Sequence, residues 1–403
     1  MTKRILIAGG GIGGLCAALA LQKKGFSVQI FEQSSALKEV GAGIQLSPNA
    51  MHVLQKLDLS QQLAPLAFRP VQATMRHYQT GAEFLRMPLG KTAEDNYGAP
   101  YLHIHRADLH QVLYQAAIER GVELHLDTQV AGYRHLQQAQ QQQVQLVLQD
   151  GRHISGDVLI GADGIRSKIK ACMFGDSKLD FSGQVAWRAT VEASKLPPGL
   201  VKPDANLWVG PGGHIVSYYV RGGAQINLVA VQERQDWSDV SWNVPGDVEQ
   251  LRHAFSTWHP EVVELVNAVQ SCFLWGLFTS KPLSSWVDGQ VTLLGDACHP
   301  MLPFVAQGAA MAIEDGYTLA SELAQLPRWQ AMSIEQALRS YQSARLERVT
   351  KVQKMAANNA NLYHMKGASA KAKLSILKCI NSVLPQLAMQ PIKFIYQYNN
   401  TQN

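Results

Sequence analysis

Arg4-Ile5-Leu6-Ile7-Ala8-Gly9-Gly10-Gly11-Ile12-Gly13-Gly14 is the stretch on which the fold turns. Arg4–Ala8 is short, apolar and stopped by glycine, so it reads as a buried parallel strand and not as a leader segment. Leu15–Lys24 has helical texture and ends at Gly25, the usual residue for a helix stop. Ser27–Phe31 reads as a second strand, closed by Glu32 with Gln33 beside it. Gly9, Gly11 and Gly14 take the GxGxxG spacing, with Gly13 inside the same turn. In a strand–turn–helix unit the first glycine permits the turn, the second lets a pyrophosphate approach the backbone, and the third lets helix and strand pack closely. The helix start supplies amides and partial positive charge for phosphates. Glu32, 18 residues after Gly14, can accept hydrogen bonds from a ribose diol; the competing reading is a solvated acid at a strand end. The glycine spacing alone is weak, and its register with strand, helix and acid carries the reading.

The rest of the chain sets the limits. At 403 residues it suits two packed domains or one domain with a large insert. With 46% hydrophobic and 17% charged residues its composition is that of a globular protein. The net charge of +5 is spread along the chain, which argues against nucleic acid and fits either attraction of anionic small molecules or plain solubility. Five cysteines without CxxC or metal-site spacing imply a reduced, cytoplasmic protein. HExxH, GxSxG and Cys/His clusters are missing, so metal and serine-nucleophile chemistry are not expected. No stretch reaches the roughly 18 apolar residues of a membrane span. The apolar segment 374–398 is broken by Lys378, Asn381, Pro385 and Pro391, so it is expected to dock on the protein surface.

Further along, Asn49–Leu57 and His105–Arg120 read as helices. Gln143–Gln149 and His153–Gly156 form a hairpin around Asp150-Gly151, the Gln-rich tract 137–143 is a mobile loop tip, and Asp157–Ile160 is a buried strand. From 181 to about 280 the texture turns to alternating runs, such as His214–Val220 and Gln225–Val231, that suggest antiparallel sheet. Val291–Leu294 returns to parallel-strand texture before a helix over 306–323.

Gly295-Asp296-Ala297-Cys298-His299-Pro300 follows that strand. A short acid there can bind the hydroxyls of a ribityl chain, which FAD has and NAD lacks. Taken with Gly9–Gly14, Glu32 and Asp157-Val-Leu-Ile-Gly-Ala-Asp163-Gly164-Ile-Arg166-Ser167, this motif set resembles the single-component, class A FAD-dependent aromatic hydroxylases, within them the salicylate hydroxylase and 3-hydroxybenzoate 6-hydroxylase group. The resemblance extends over most of the chain, through 104–109, Ala186-Trp187-Arg188, 307–315 and Tyr363-His364.

The resemblance implies an α/β fold with an α+β insert. A Rossmann-like FAD-binding domain with a parallel sheet (1–75, 101–180, 281–334) is interrupted by an antiparallel-sheet substrate domain (76–100, 181–280), and helices follow from 335. It implies FAD contacts from Arg106, Val130 and Asp296, and from Asp163, whose alternative role is to tie down its own loop. Gly308 and Ala309 are expected to open a helix beside the isoalloxazine ring, where a side chain would collide. Gln45 and Pro303 are expected near the reacting ring, and Gln45 argues against N-heteroaromatic substrates. His214 and Tyr218 share one face of a strand, with His214 the candidate base for a phenol and a satisfied packing histidine the alternative. His299 is expected to organise its loop. The implied activity is hydroxylation of a small aromatic ring with NADH or NADPH and dioxygen, by way of a flavin carbon-4a hydroperoxide, in a monomer or homodimer. A larger isoprenoid or polyketide substrate, or a flavin-binding sensor without turnover, are the alternatives.

Overall fold

The computed structural model describes residues 3–35, 42–138, 141–176, 178–237, 244–327, 329–364, 366–383 and 385–402. Two large sheets organise it. The first has six strands in the order Val287–Asp288, Val291–Leu293, Val158–Gly161, Arg4–Ala8, Ser27–Phe31, Glu123–His125. All neighbours are parallel except the outermost Val287–Asp288. Ile5, Leu6 and Ile7 at its centre are fully buried, as expected of a strand covered on both faces. One cover is the helix Ile12–Lys23, which packs against the helix Gly308–Ala324. Gly316 makes that approach possible, since a Cβ there would stand 2.7 Å from the Ala17 nitrogen.

The second sheet has eight strands in the order Val244–Gly246, Cys272–Thr279, Asp180–Glu192, Gln225–Glu233, Gly213–Val220, Ala205–Gly210, Gln72–His77, Glu83–Pro88. It is antiparallel except where Gln72–His77 lies parallel to Ala205–Gly210. Its second apolar layer is built on Trp187, Ile215, Leu228 and the short helices 248–254 and 260–267. The long helix Ala331–Tyr363 and the helices Gly367–Val383 and Pro385–Tyr396 complete the fold.

Several expected boundaries move. The limit at 76 falls inside the strand Gln72–His77, and the limit at 335 inside the helix that starts at Ala331. His105 closes the strand Leu102–His105, and the helix begins at Arg106. Within the Gln-rich tract, Gln138 pairs with Gln141 and Gln137 with Gln142 as strand. Residues 139–140 lie outside the described residues.

Candidate active site

A cavity of about 650 Å³ runs from the glycine turn, between the two sheets, to the C-terminal helices. At one end, Gly9 takes φ 103°, and its amide donates to the Phe31 carbonyl at 2.8 Å. A Cβ on Gly14 would stand 2.1 Å from the Gly9 carbonyl oxygen, and one on Gly13 would stand 2.7 Å from Leu294. Gly11 differs, because nothing lies within 4 Å of where its Cβ would be. It therefore faces open space, and Gly11 and Gly13 both line the cavity. His110, buried in the helix Arg106–Glu119, bonds the Gly10 carbonyl at 2.7 Å and anchors the turn. The Glu32 carboxylate accepts from the Gly10 amide at 2.7 Å and the Ser34 amide at 2.9 Å. Gln33 is exposed.

Along the cavity wall, the chain turns at Gly295 (φ 62°) and brings Asp296 to face the cavity. Asp296 is exposed to that space, and desolvation raises its pKa despite His299 and Arg106 nearby. Behind Asp296 lies a buried ionic layer. Asp315 accepts from His299 Nε2 at 2.5 Å, from the Gly295 amide at 3.2 Å and from Arg345 Nε at 2.7 Å. Glu314 receives Arg345 at 2.6 Å, Arg348 at 2.7 Å and Asn49 at 2.6 Å. Burial alone would raise both carboxyl pKa values. His299 and Arg345 around Asp315, and the two arginines around Glu314, hold them below the ordinary range. Burial likewise opposes charge on His299, but Cys298 and Asp315 raise its pKa well above 6.5. Burial also raises the Cys298 pKa, so at neutral pH it is a thiol and the Asp315 carboxylate is the charge that counts. His299 thus holds its loop to the helix Gly308–Ala324.

That helix starts at Gly308 and Ala309, which line the cavity. The chain enters it through Ala306 at φ 51°, a left-handed conformation that costs a residue with a Cβ about 1–3 kcal/mol. The helix amides and positive end point at the same space.

His214 and Tyr218 lie on the opposite wall, on the strand Gly213–Val220, and both are buried. His214 Nδ1 bonds His364 Nε2 at 2.7 Å, and its ring meets Phe304 and Tyr363 edge-on at 5.1 and 5.2 Å. Burial, then His364, lowers its pKa well below 6.5, so the ring is neutral. Burial raises the Tyr218 pKa. Its ring packs on His103 at 4.4 Å and would collide with any Cβ on Gly43. Gln45 accepts from the Tyr101 hydroxyl at 2.7 Å. Gln45, Tyr101, Pro303 and Arg106 also line the cavity.

The family model for an FAD binding domain matches residues 2–210 and 250–356. The 3-hydroxybenzoate 6-hydroxylase 1 of Aquipseudomonas alcaligenes is 35% identical over 98% of both chains. The 6-hydroxynicotinate 3-monooxygenase of Pseudomonas fluorescens is 35% identical over 88% of this chain and 91% of its own. A solved salicylate hydroxylase substrate complex superposes with a TM-score of 0.80 at 26% identity, covering 99% of this chain and 96% of its own. The chain belongs to the FAD-binding family of aromatic monooxygenases.

The residues of this monooxygenase fit FAD. Gly11 leaves room for phosphates, Asp296 presents a carboxylate inside a cavity, and a helix start faces the far end. Of the expected contacts, Gly9, Gly14, Glu32, Gln33, Asp163 and Val130 are not in the cavity lining. Asp163 is outside the cavity lining, although its neighbours Ala162 and Gly164 are in it. Its Oδ2 accepts from the amides of Lys168 and Ile169, so it ties down the loop before the helix Lys168–Phe174. Val130 opens the hairpin strand Val130–Gln138, also away from the lining. Sequence reasoning missed Tyr101, Tyr396, Phe304, His110, Arg345 and Arg348 as site residues. The resemblance through 307–315 touched Glu314 and Asp315 without showing that arginines cover them, and nothing local marks Tyr101 or Tyr396. No described helix is long and apolar enough to cross a membrane.

Proposed function

We propose that this monooxygenase hydroxylates a small phenolic ring of the hydroxybenzoate or salicylate type, with His214 as the base that ionises the phenol. One observation carries the reading. His214 lines the cavity as a neutral imidazole whose Nδ1 is bonded to His364, and when Nδ1 is the donor in that pair, Nε2 is the ring nitrogen with a lone pair to accept a proton. A phenolate oxygen pushes electron density onto the ring and makes a ring carbon nucleophilic.

Gly9, Gly11, Gly14, Glu32, Arg106 and Asp296 are the residues to hold FAD, with Asp163 acting through the loop it caps. When bound, FAD reduced by NADH or NADPH activates dioxygen for transfer to the ring. With FAD bound, the helix start at Gly308 and Ala309 would supply a positive end to stabilise negative charge on reduced flavin, a contribution of up to ~2 kcal/mol when partly buried. Phe304, Tyr363 and Trp275 exclude water from the reacting end. Tyr218, Gln45 and Pro303 shape the ring's place. The same reading puts the enzyme in aromatic catabolism in the cytoplasm, as a monomer or homodimer; five free cysteines support a reducing compartment.

A second reading has its own observation. Past His214, the cavity is lined by Met75, Leu85, Met87, Leu207, Leu362 and Leu377, a wall suited to a larger apolar substrate. A substrate screen separates the two by following ligand-stimulated NAD(P)H oxidation, product mass and peroxide yield. Salicylate or 3-hydroxybenzoate should speed flavin reduction and gain one oxygen. Oxygenated product from large apolar compounds alone would replace the first reading with the second.

A further inference from the structure

The reacting end of the cavity is a poor place for a proton to stay. His214 is 2% exposed, boxed by Phe304 and Tyr363, and burial disfavours its charged form. A base that takes a phenol's proton there must pass it on, and the surroundings of Nδ1 show where. His364 caps the helix Ala331–Tyr363 and is itself buried. On its far side, Nδ1 lies 3.5 Å from Glu233 Oε1. Glu233 ends the strand Gln225–Glu233, is 41% exposed, and holds Lys366 at 2.8 Å through its other oxygen.

We propose that His364 and Glu233 form a proton outlet that carries the proton taken up by His214 to the protein surface. This rests on the reading of His214 as the base. The direction follows from hydrogen-bond polarity. A carboxylate can only accept, so Glu233 places the His364 proton on Nδ1 and leaves His364 Nε2 as an acceptor. His214 must then donate from Nδ1 across the 2.7 Å bond, which leaves the lone pair on His214 Nε2 for the cavity. Gln184 Nε2 also lies 3.4 Å from His364 Nδ1. It would impose the opposite tautomer, but a neutral amide competes poorly with a carboxylate. Gln184 Oε1 is buried without a hydrogen-bond partner among the described residues, so a turned amide would accept from the same N–H.

The transfer balances. The phenol O–H breaks and its proton bonds to His214 Nε2. The His214 Nδ1 proton moves to His364 Nε2, and the His364 Nδ1 proton moves to Glu233 and then to water. Each ring gains one proton and loses one, so neither remains charged, and no electrons change hands. Run backwards, the same path returns a proton to the product's phenolate and restores both tautomers. The titratable and charged groups facing the pair are Tyr363, Glu233 and Lys366. Tyr363 stays protonated because burial raises its pKa. Burial lowers the His364 pKa to about 4, with Glu233 opposing that shift and Lys366 adding to it.

Nitrogen NMR of histidine side chains in the FAD-loaded protein tests the direction without any substrate. His214 should carry its proton on Nδ1, and Glu233→Gln should move it to Nε2. A wild-type His214 protonated on Nε2, or a tautomer indifferent to Glu233→Gln, overturns the proposal. Turnover with 3-hydroxybenzoate tests the use. Glu233→Gln alters an exposed side chain and should leave FAD binding and flavin reduction unchanged. Hydroxylation at neutral pH should fall roughly 10-fold, part of the 10²–10⁴ that a positioned base supplies. It should recover as pH rises towards the phenol's own pKa, and Glu233→Asp should restore most of it. His364→Asn should behave as Glu233→Gln does. If His214→Asn cripples hydroxylation while Glu233→Gln and His364→Asn keep the wild-type pH profile, the outlet is wrong and the base assignment stands. If His214→Asn is itself harmless, both fall.

Discussion

His299 and His214 flank one cavity with nearly equal burial, 3% and 2% exposed, and are held in opposite charge states. His299 bonds the Asp315 carboxylate, within a layer that also contains Glu314, Arg345 and Arg348. His214 bonds another imidazole between aromatic rings. Burial penalises charge at both sites. The partner decides which site overcomes the penalty, and so the Asp296 side of the cavity is backed by a fixed ionic scaffold while the His214 side is neutral.

The largest effect is expected at the floor that both sides share. Gly11→Val puts a branched side chain into the open space beside the glycine turn, and the protein should carry no flavin absorbance after reconstitution. Wild-type levels of bound FAD would show that the cofactor lies elsewhere. Next comes the neutral side. His214→Asn should lower hydroxylation by roughly 100- to 10,000-fold with FAD binding and thermal stability nearly unchanged. NAD(P)H oxidation should persist with release of hydrogen peroxide, and activity should partly return at high pH. A less stable protein with normal activity per folded molecule would make His214 a packing residue.

The charged side should fail differently. Arg345→Met leaves Glu314 and Asp315 buried with one cation fewer. Breaking such a layer costs about 3–5 kcal/mol, read by urea unfolding of the flavin-loaded enzyme. A loss under 1 kcal/mol would show that the layer is not held by its charges.

The smallest effect is in pH dependence. His103, His214 and His364 have folded pKa values below 6.5, those of His103 and His364 being about 3 and about 4. Above pH 6.5 they are neutral folded or unfolded and add nothing. Below it the unfolded chain takes up protons that the folded chain refuses, so each removes about 1.4 kcal/mol per pH unit until its own folded pKa is reached. His299 has the opposite sign: its raised pKa stabilises the fold in acid, and that stability is lost as pH rises through its folded value. The lowered Asp315 and Glu314 stabilise above the ordinary carboxylate range and are lost as pH falls. His103→Phe should flatten the stability slope between pH 6.5 and 4 by one histidine's share, and an unchanged slope would contradict a neutral buried His103.

The two sides were unequally legible. The glycine turn, Glu32 and the Gly295-Asp296 loop could be read because backbone geometry demands particular residues at fixed local spacing. The parallel and antiparallel strands could be read from their burial pattern. The ionic layer could not, because Arg345 and Arg348 sit in a 33-residue helix where arginines read as a solvated face. The partners of Arg345 lie some thirty residues upstream. His364 was part of a family likeness, but its pairing with His214 spans 150 residues. Asp163 could be read as a motif residue, but not that its side chain accepts from the Lys168 and Ile169 amides.

Arg348 donates to the carbonyls of Phe394 and Ile395, fastening to the ionic layer the segment whose Ile392, Ile395 and Tyr396 close the cavity. These wall residues are translated after every other part of the site. The glycine turn, the Asp296 loop and the strand Gly213–Val220 leave the ribosome before that wall is made. A chain interrupted near residue 384 would therefore carry the glycine turn and the Asp296 loop beside a cavity that lacks the Ile392, Ile395 and Tyr396 wall.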